Sequence, residues 1–303
     1  MSVITQTAEN LHANLYGKKQ EDIILDAVTS NNLQNRVSIA QYYKANYGTS
    51  LFDDIKSKIG GDFGYCAAQM FLSPLEFCIH HLKLGIKNKN ECTMEMLTSK
   101  TIKELKIIED AYKQDTGKDL KKDIQDTYKG AIGKNLLNLF TTPRTSNSKP
   151  DKKECQKYAN KLGENKKGPN DWVEDENLFK EIFIERSPEE LVLIARYYLK
   201  ITGNNFIDVI EKNAKGQNKI LLREILYNNA MPQELFAEKI YLAIKGLGTN
   251  EEVLSRVLVS RCEVDMDAMR DMYLAKYKVT LKEDIMDDTS KFYQQLCVYL
   301  CEK

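Results

Sequence analysis

Four segments of this 303-residue chain can be written under one another, and no other feature restricts its fold as much. They are SNNLQNRVSIAQYYKANYGTSLFDDI from Ser30, SKTIKELKIIEDAYKQDTGKDLKKDI from Ser99, ERSPEELVLIARYYLKITGNNFIDVI from Glu185 and SRCEVDMDAMRDMYLAKYKVTLKEDI from Ser260, each 25 steps from first residue to closing isoleucine. Thirteen steps in stand Tyr43, Tyr112, Tyr198 and Tyr273, and twenty-one steps in stand Leu51, Leu120, Phe206 and Leu281. At eighteen steps three of the four have glycine: Gly48, Gly117 and Gly203. Amphipathic helices slide into partial register by chance, but not at several fixed offsets in four places, so the chain is read as an internal fourfold repeat.

Inside each unit apolar residues recur at three and four, as in Leu105, Ile108 and Tyr112, while strict alternation is scarce. That periodicity predicts helices, with Gly or Asn ending one near the eighteenth step and the next beginning at once. The expected fold class is all-α. Successive units start 69, 86 and 75 residues apart, and the excess falls where TTPRTSNSKPDKKE and then GENKKGPNDW interrupt the pattern. These polar, Pro- and Gly-containing stretches read as a linker and an irregular loop. The expected organisation is repeat one over 5–74, repeat two over 75–142, a linker over 143–154, repeat three with its irregular loop over 155–229, and repeat four over 230–303: two units, a linker, and two more.

Composition narrows the function. Lys plus Arg equals Asp plus Glu at 44 each, so the chain has no standing attraction for nucleic acid or an anionic membrane, and any phosphate contact has to be local or bridged by a cation. Seven cysteines without a CxxC pair read as reduced core residues rather than a disulfide framework or zinc site. The opening MSVITQTAEN has no signal-peptide character, and no run approaches about 18 apolar residues; a cytoplasmic protein without its own anchor is expected.

One junction stands apart. In AIKGLGTNEE, Ala243 to Glu252, two glycines bracket one leucine between two helical patterns. One glycine suffices to end a helix, and Thr249 with Glu252 reads as a capping box for the next; the second glycine is left without a role. KGLGTNEEVLSRVLVSR and DDTSKFYQQL, with weaker echoes in TSKTIKEL and IERSPEEL, carry a resemblance to the annexin family that extends over essentially the whole chain. The divergence of the first three units and the long central connection look most like the protozoan α-giardins. The resemblance implies four repeats of about five helices each, and calcium as the cofactor.

Calcium takes six to eight oxygens, and a loop can offer backbone carbonyls where glycine permits the required conformations. Gly246 and Gly248 suit two such donors, and the family pattern adds Ile244. Asp288, 42 residues beyond Gly246, stands at the spacing where annexins place a bidentate acid. A second, weaker site is expected at Gly85 and Asp126, with shifted geometry because Lys87 replaces the second glycine and Thr127 the acid. Repeat one (LYGKKQE, with Lys58 at the acid position) and repeat three (DWVEDE, with Asn213) depart further. Glu174, Asp175 and Glu176 read as a solvated helix start. Leu247, at the loop tip, is expected to touch the bilayer; Trp172, the only tryptophan, either does the same or plugs a gap beside the inserted segment.

The resemblance implies calcium-dependent binding to anionic, phosphatidylserine-like membranes, peripheral on the inner face, with self-association there and a link to the cytoskeleton. The alternative is calcium-independent binding of microtubules or a heparin-like polysaccharide, with the calcium site residual. Adjacent His80 and His81, with no HExxH, P-loop or nucleophile setting, give no support for an enzyme.

Overall fold

The computed structural model describes residues 2–15, 20–145, 149–246 and 248–303, and among them there is no strand. Repeat one is built of helices Val3–Asn14, Gln20–Thr29, Leu33–Tyr47, Leu51–Lys58 and Gly61–Gln69. Repeat two follows with Pro74–Asn88, Cys92–Thr98, Ile102–Thr116, Leu120–Thr127 and Gly130–Asn138. Repeat four has Pro232–Ile244, Glu251–Arg261, Met266–Tyr277, Leu281–Asp288 and Lys291–Glu302. Repeat three keeps the plan with its second helix broken up: Lys152–Glu164, then Pro169–Glu174, Glu176–Phe179 and a π-helical turn Lys180–Ile184, then Pro188–Thr202, Phe206–Asn213 and Gly216–Ala230.

The fixed offsets have direct structural causes. At the eighteenth step Gly48, Gly117 and Gly203 end the third helix in the left-handed conformation, with φ of 74°, 72° and 73°. Repeat four does the same with Lys278, at φ 64°. Two residues later Ser50, Asp119, Asn205 and Thr280 cap the fourth helix, each side chain accepting backbone N–H bonds, which satisfies orphan donors of the first turn. The residues at step twenty-one and the closing Ile55, Ile124, Ile210 and Ile285 are all buried, each apolar side chain contributing roughly 1.5–3 kcal/mol. The step-thirteen tyrosine explains itself too: Tyr43, Tyr112 and Tyr273 donate to Asp54, Asp123 and Asp284 at 2.8, 2.8 and 2.6 Å. In repeat three that acid is Val209, and Tyr198 packs edge-on to Phe206 and Trp172 instead.

Packing groups the repeats differently from their order along the chain. One compact unit is Met1–Phe77 with Gln233–Lys303, the other Cys78–Pro232. Repeats one and four share a core running from Leu11, Val28 and Ile39 to Ile240, Leu258 and Leu300. Arg36 ties them further, giving Nε to Met70 O at 2.9 Å and Nη2 to Glu263 at 2.8 Å. Sequence order hid this, because the partner repeats are the two ends of the chain.

In the other unit the linker is shorter than expected. Asp151 caps a helix that starts at Lys152, and Thr145 is pinned by its N–H to Glu185 O at 2.6 Å and by its hydroxyl to Glu190. Asn228 and Asn229 of repeat three donate to Glu95 O and Thr98 O of repeat two. All seven cysteines are buried and free, and burial pushes the thiols of Cys78, Cys155 and Cys262 up to about 11.

Candidate calcium site

The site in repeat four is assembled from two junctions. The first follows helix Pro232–Ile244: Asn250 N–H reaches back to Ala243 O at 2.7 Å, which closes the intervening residues into a tight loop. Gly246 and Gly248 take φ of 122° and 84°, a region that side chains resist. Among the described residues no hydrogen bond engages the Gly246 or Gly248 carbonyl. The second junction is the end of helix Leu281–Asp288, whose last two residues are both acidic. A helix C-terminus carries partial negative charge, so acids there stand against the macrodipole unless a cation joins them. Asp288 has no cationic partner among the described residues.

Thr249 joins the two junctions. Its hydroxyl lies 2.5 Å from Asp288 Oδ2 and 3.1 Å from Asp288 O, so the loop and the acid 39 residues later are held against each other. The capping box expected of Thr249 and Glu252 is therefore absent: Asn250 caps the helix, its side chain accepting from Val253 N–H at 3.2 Å. Tyr293 adds a second brace through Glu251 O at 3.2 Å and Ser255 Oγ at 2.9 Å. The sequence did not reveal Thr249 as a tether, because a T-x-x-E pattern reads equally well as a cap.

Among the described residues no cluster of three or more His, Cys, Asp or Glu surrounds a metal position. The donor set is thus carbonyl oxygens plus one carboxylate, which suits a hard, oxygen-seeking cation of flexible coordination and not zinc. Ile244, Gly246, Gly248 and Asp288 are the residues that would hold it. Leu247 lies outside the described residues.

The other three repeats show what replaces this arrangement. Their fourth helices end at the same place with Lys58, Thr127 and Asn213 where repeat four has Asp288. Lys58 has the right sign for a helix C-terminus, and its charge repels a cation; the facing loop of repeat one, residues 16–19, lies outside the described residues.

In repeat two the residues of the expected weaker site, Gly85 and Asp126, have other protein partners. Gly85 sits inside helix Pro74–Asn88, where a Cβ would come within 2.5 Å of Thr93 N; it is a close-packing glycine, not a loop former. Its carbonyl accepts from Asn90 N–H and from the Tyr128 hydroxyl, at 3.2 and 3.3 Å. That hydroxyl also lies 3.1 Å from Asn90 O and 3.0 Å from Thr93 Oγ1, so a phenol fills the oxygen cluster. Asp126 is exposed and paired with Lys129 at 3.5 Å.

In repeat three the Asn170 amide makes the closure, donating to Asn213 O at 2.8 Å and accepting from Lys215 N–H at 3.1 Å. Glu174 is exposed, Asp175 caps a helix and Glu176 pairs with Lys134 at 2.6 Å, as a solvated helix start should. Trp172 is not available to a membrane: it is 1% exposed, on helix Pro169–Glu174, with Phe206, Tyr198 and Phe183 at ring distances of 5.4, 5.9 and 6.4 Å. It fills the space beside the inserted segment.

A fourfold, five-helix repeat with a glycine loop facing a helix-end acid defines an annexin-type protein. The sequence model of the annexin family matches residues 6–67, 80–139 and 235–300, and the chain belongs to that family. Annexin A6 of Gallus gallus is 31% identical over 93% of this chain, which spans 42% of that relative's length. Annexin A3 of Homo sapiens is 30% identical over 93% of this chain and 87% of its own. Among solved structures, chicken annexin V superposes with a TM-score of 0.88 at 28% identity, covering 100% of this chain and 96% of that one. Calcium-bound α-14 giardin superposes at 0.79 with 16% identity, covering 99% and 100%, and shares the fold. Annexin (Sm)1, solved with calcium bound, superposes at 0.79 with 24% identity and likewise shares the fold. The part of repeat three with the amide closure lies outside the three matched stretches.

Proposed function

We propose that this chain binds anionic phospholipid surfaces through calcium held in the loop of repeat four. The carrying observation is the Thr249–Asp288 contact, which brings the acid to a loop whose glycine carbonyls carry no hydrogen bond from the described residues. A calcium ion held by a few carbonyls and one carboxylate keeps coordination positions for lipid phosphate oxygens, and so supplies the attraction that a chain of zero net charge lacks. Leu247, between the two glycines in sequence, would enter the headgroup region beside the ion. No helix among the described residues is long and apolar enough to cross a membrane, which suits a peripheral mode on an inner membrane face. One such site binds weakly, so clustering of several molecules on one surface contributes avidity. Pelleting with phosphatidylserine vesicles tests the reading: calcium-dependent sedimentation reversed by EGTA supports it, and sedimentation indifferent to EGTA removes it.

A second reading has its own observation. Repeats two and three close the equivalent junctions with Tyr128 and Asn170, so these two repeats are finished without an ion, as a calcium-independent scaffold for microtubules or a heparin-like polysaccharide would be. Against it, Lys83 and Lys121, two of the lysines such acidic partners would meet, are already paired with Asp115 and Glu109 at 2.7 and 3.0 Å. Heparin or microtubule binding that persists in EGTA would favour this scaffold role.

A further inference from the structure

In the unit formed by residues 78–232 a cavity of about 550 Å³ opens between the start of helix Ile102–Thr116, the segment after helix Gly130–Asn138 and the entry to helix Pro188–Thr202. Its lining includes Lys100, Lys103 and Arg144, and no carboxylate. Arg144 is the unusual member. Its Nη1 donates to Phe183 O and Arg186 O at 3.2 and 2.7 Å, while its Nη2 is buried without a hydrogen-bond partner among the described residues. Burial alone pushes its guanidinium down to about 10, with no acid beside it to hold the charge. Arg144 is half-buried as a whole, and a guanidinium partly withdrawn from water without an acid beside it gains from a counter-charge.

The nearby acids are already engaged. Glu104 faces Lys100, but its carboxylate takes the N–H and hydroxyl of Thr101 at 2.8 and 2.7 Å. Glu190 takes the N–H of Ser187 and the hydroxyl of Thr145. The remaining wall mixes the apolar side chains of Ile102, Leu139 and Ile184 with the neutral polar Ser99, Thr101, Thr142 and Asn229. An oxyanion fits the cationic end, since guanidinium forks match phosphate oxygens and lysines add point charge. The apolar side chains and the volume leave room for a ring or short hydrocarbon attached to it.

We propose that this cavity binds a phosphorylated small molecule, its phosphate against Arg144, Lys100 and Lys103 and its organic part against Ile102, Leu139 and Ile184. The site is independent of calcium and of the repeat-four loop.

Titration calorimetry on the full chain in EGTA tests it, with phenyl phosphate as probe and inorganic phosphate as competitor. One saturable site for phenyl phosphate is expected, weakened at least about tenfold in the Lys100→Gln/Lys103→Gln double variant and unchanged in Asp288→Asn. The lysines are chosen because Arg144 also holds backbone carbonyls, so its loss could disturb folding. Phosphatidic acid vesicles in EGTA separate two sources of the phosphate: capture that the lysine variant abolishes assigns it to a lipid headgroup, and phenyl phosphate binding without capture assigns it to a soluble molecule. No saturable binding of either probe at millimolar concentration, or equal binding by the double variant, overturns the proposal.

Discussion

The contact between Thr249 and Asp288 decides more than either residue alone. Without the threonine hydroxyl the acid is free to turn toward solvent, so Thr249→Val should weaken calcium binding several-fold while leaving the fold intact, as isothermal titration would show. The residue scale also holds a strained position. Lys278 does in repeat four what glycine does in the others, at φ 64°. The left-handed conformation costs a side-chain-bearing residue roughly 1–2 kcal/mol, of which the extra freedom of unfolded glycine takes back about 0.4–1. Lys278→Gly should therefore raise stability by about 0.5 kcal/mol, read as a higher urea midpoint at unchanged slope. Trp172 gives the opposite case. Its composition-level identity, a lone tryptophan on an irregular stretch, pointed equally to a membrane and to a gap, and only three aromatic neighbours brought from elsewhere in repeat three decide for the gap. Trp172→Ala should cost about 3–5 kcal/mol in denaturant unfolding and leave vesicle affinity of the folded protein unchanged.

At the scale of elements, four equivalent eight-residue helices end in Lys58, Thr127, Asn213 and Asp288, and that one position grades the repeats from cation-repelling to cation-seeking. The sequence offered this comparison directly, because the offset from the glycine loop is fixed. It did not offer what fills the place of the ion in repeats two and three, since Tyr128 and Asn170 act through backbone oxygens whose positions depend on the packed helices. Gly85 misled for a related reason: a glycine at a loop-like position turned out to serve close approach of Thr93 inside a continuing helix, and sequence does not distinguish those uses. The step-thirteen tyrosine was visible as a repeat, while its partner aspartate eleven residues on was equally regular in three units and went unread. Tyr273→Phe removes a bond to a carboxylate at 2.6 Å and should cost about 1.5–3 kcal/mol. Tyr198→Phe, with no acid at the matching position, should cost clearly less under the same denaturant titration.

For the whole molecule, the repeat count and helical class were legible in spacing alone, whereas the pairing of repeats was not: the shared core of repeats one and four is made between the chain's two ends. Arg36 and Glu263 measure how much that pairing depends on charge. Burial pushes the Glu263 carboxyl upward, but bonds from Lys303 and Arg36 outweigh it and hold it below its usual range. A carboxyl depressed in the folded state contributes stability above its unfolded value of 4.5, and loses it as pH falls through the lower folded value. Stability should accordingly drop below pH 4.5, and Glu263→Gln should flatten that part of the profile while lowering stability near neutrality, because Arg36 is left buried and unpaired. The proposed function rests on asymmetry among four similar units, one with a glycine loop held against an acid and two closed by their own side chains. A crystal soaked in calcium tests this most directly. The account predicts one ion against the carbonyls of Ile244, Gly246 and Gly248 and the Asp288 carboxylate, with none at the Tyr128 or Asn170 closures; an empty repeat-four loop, or ions bound at those closures instead, would contradict it.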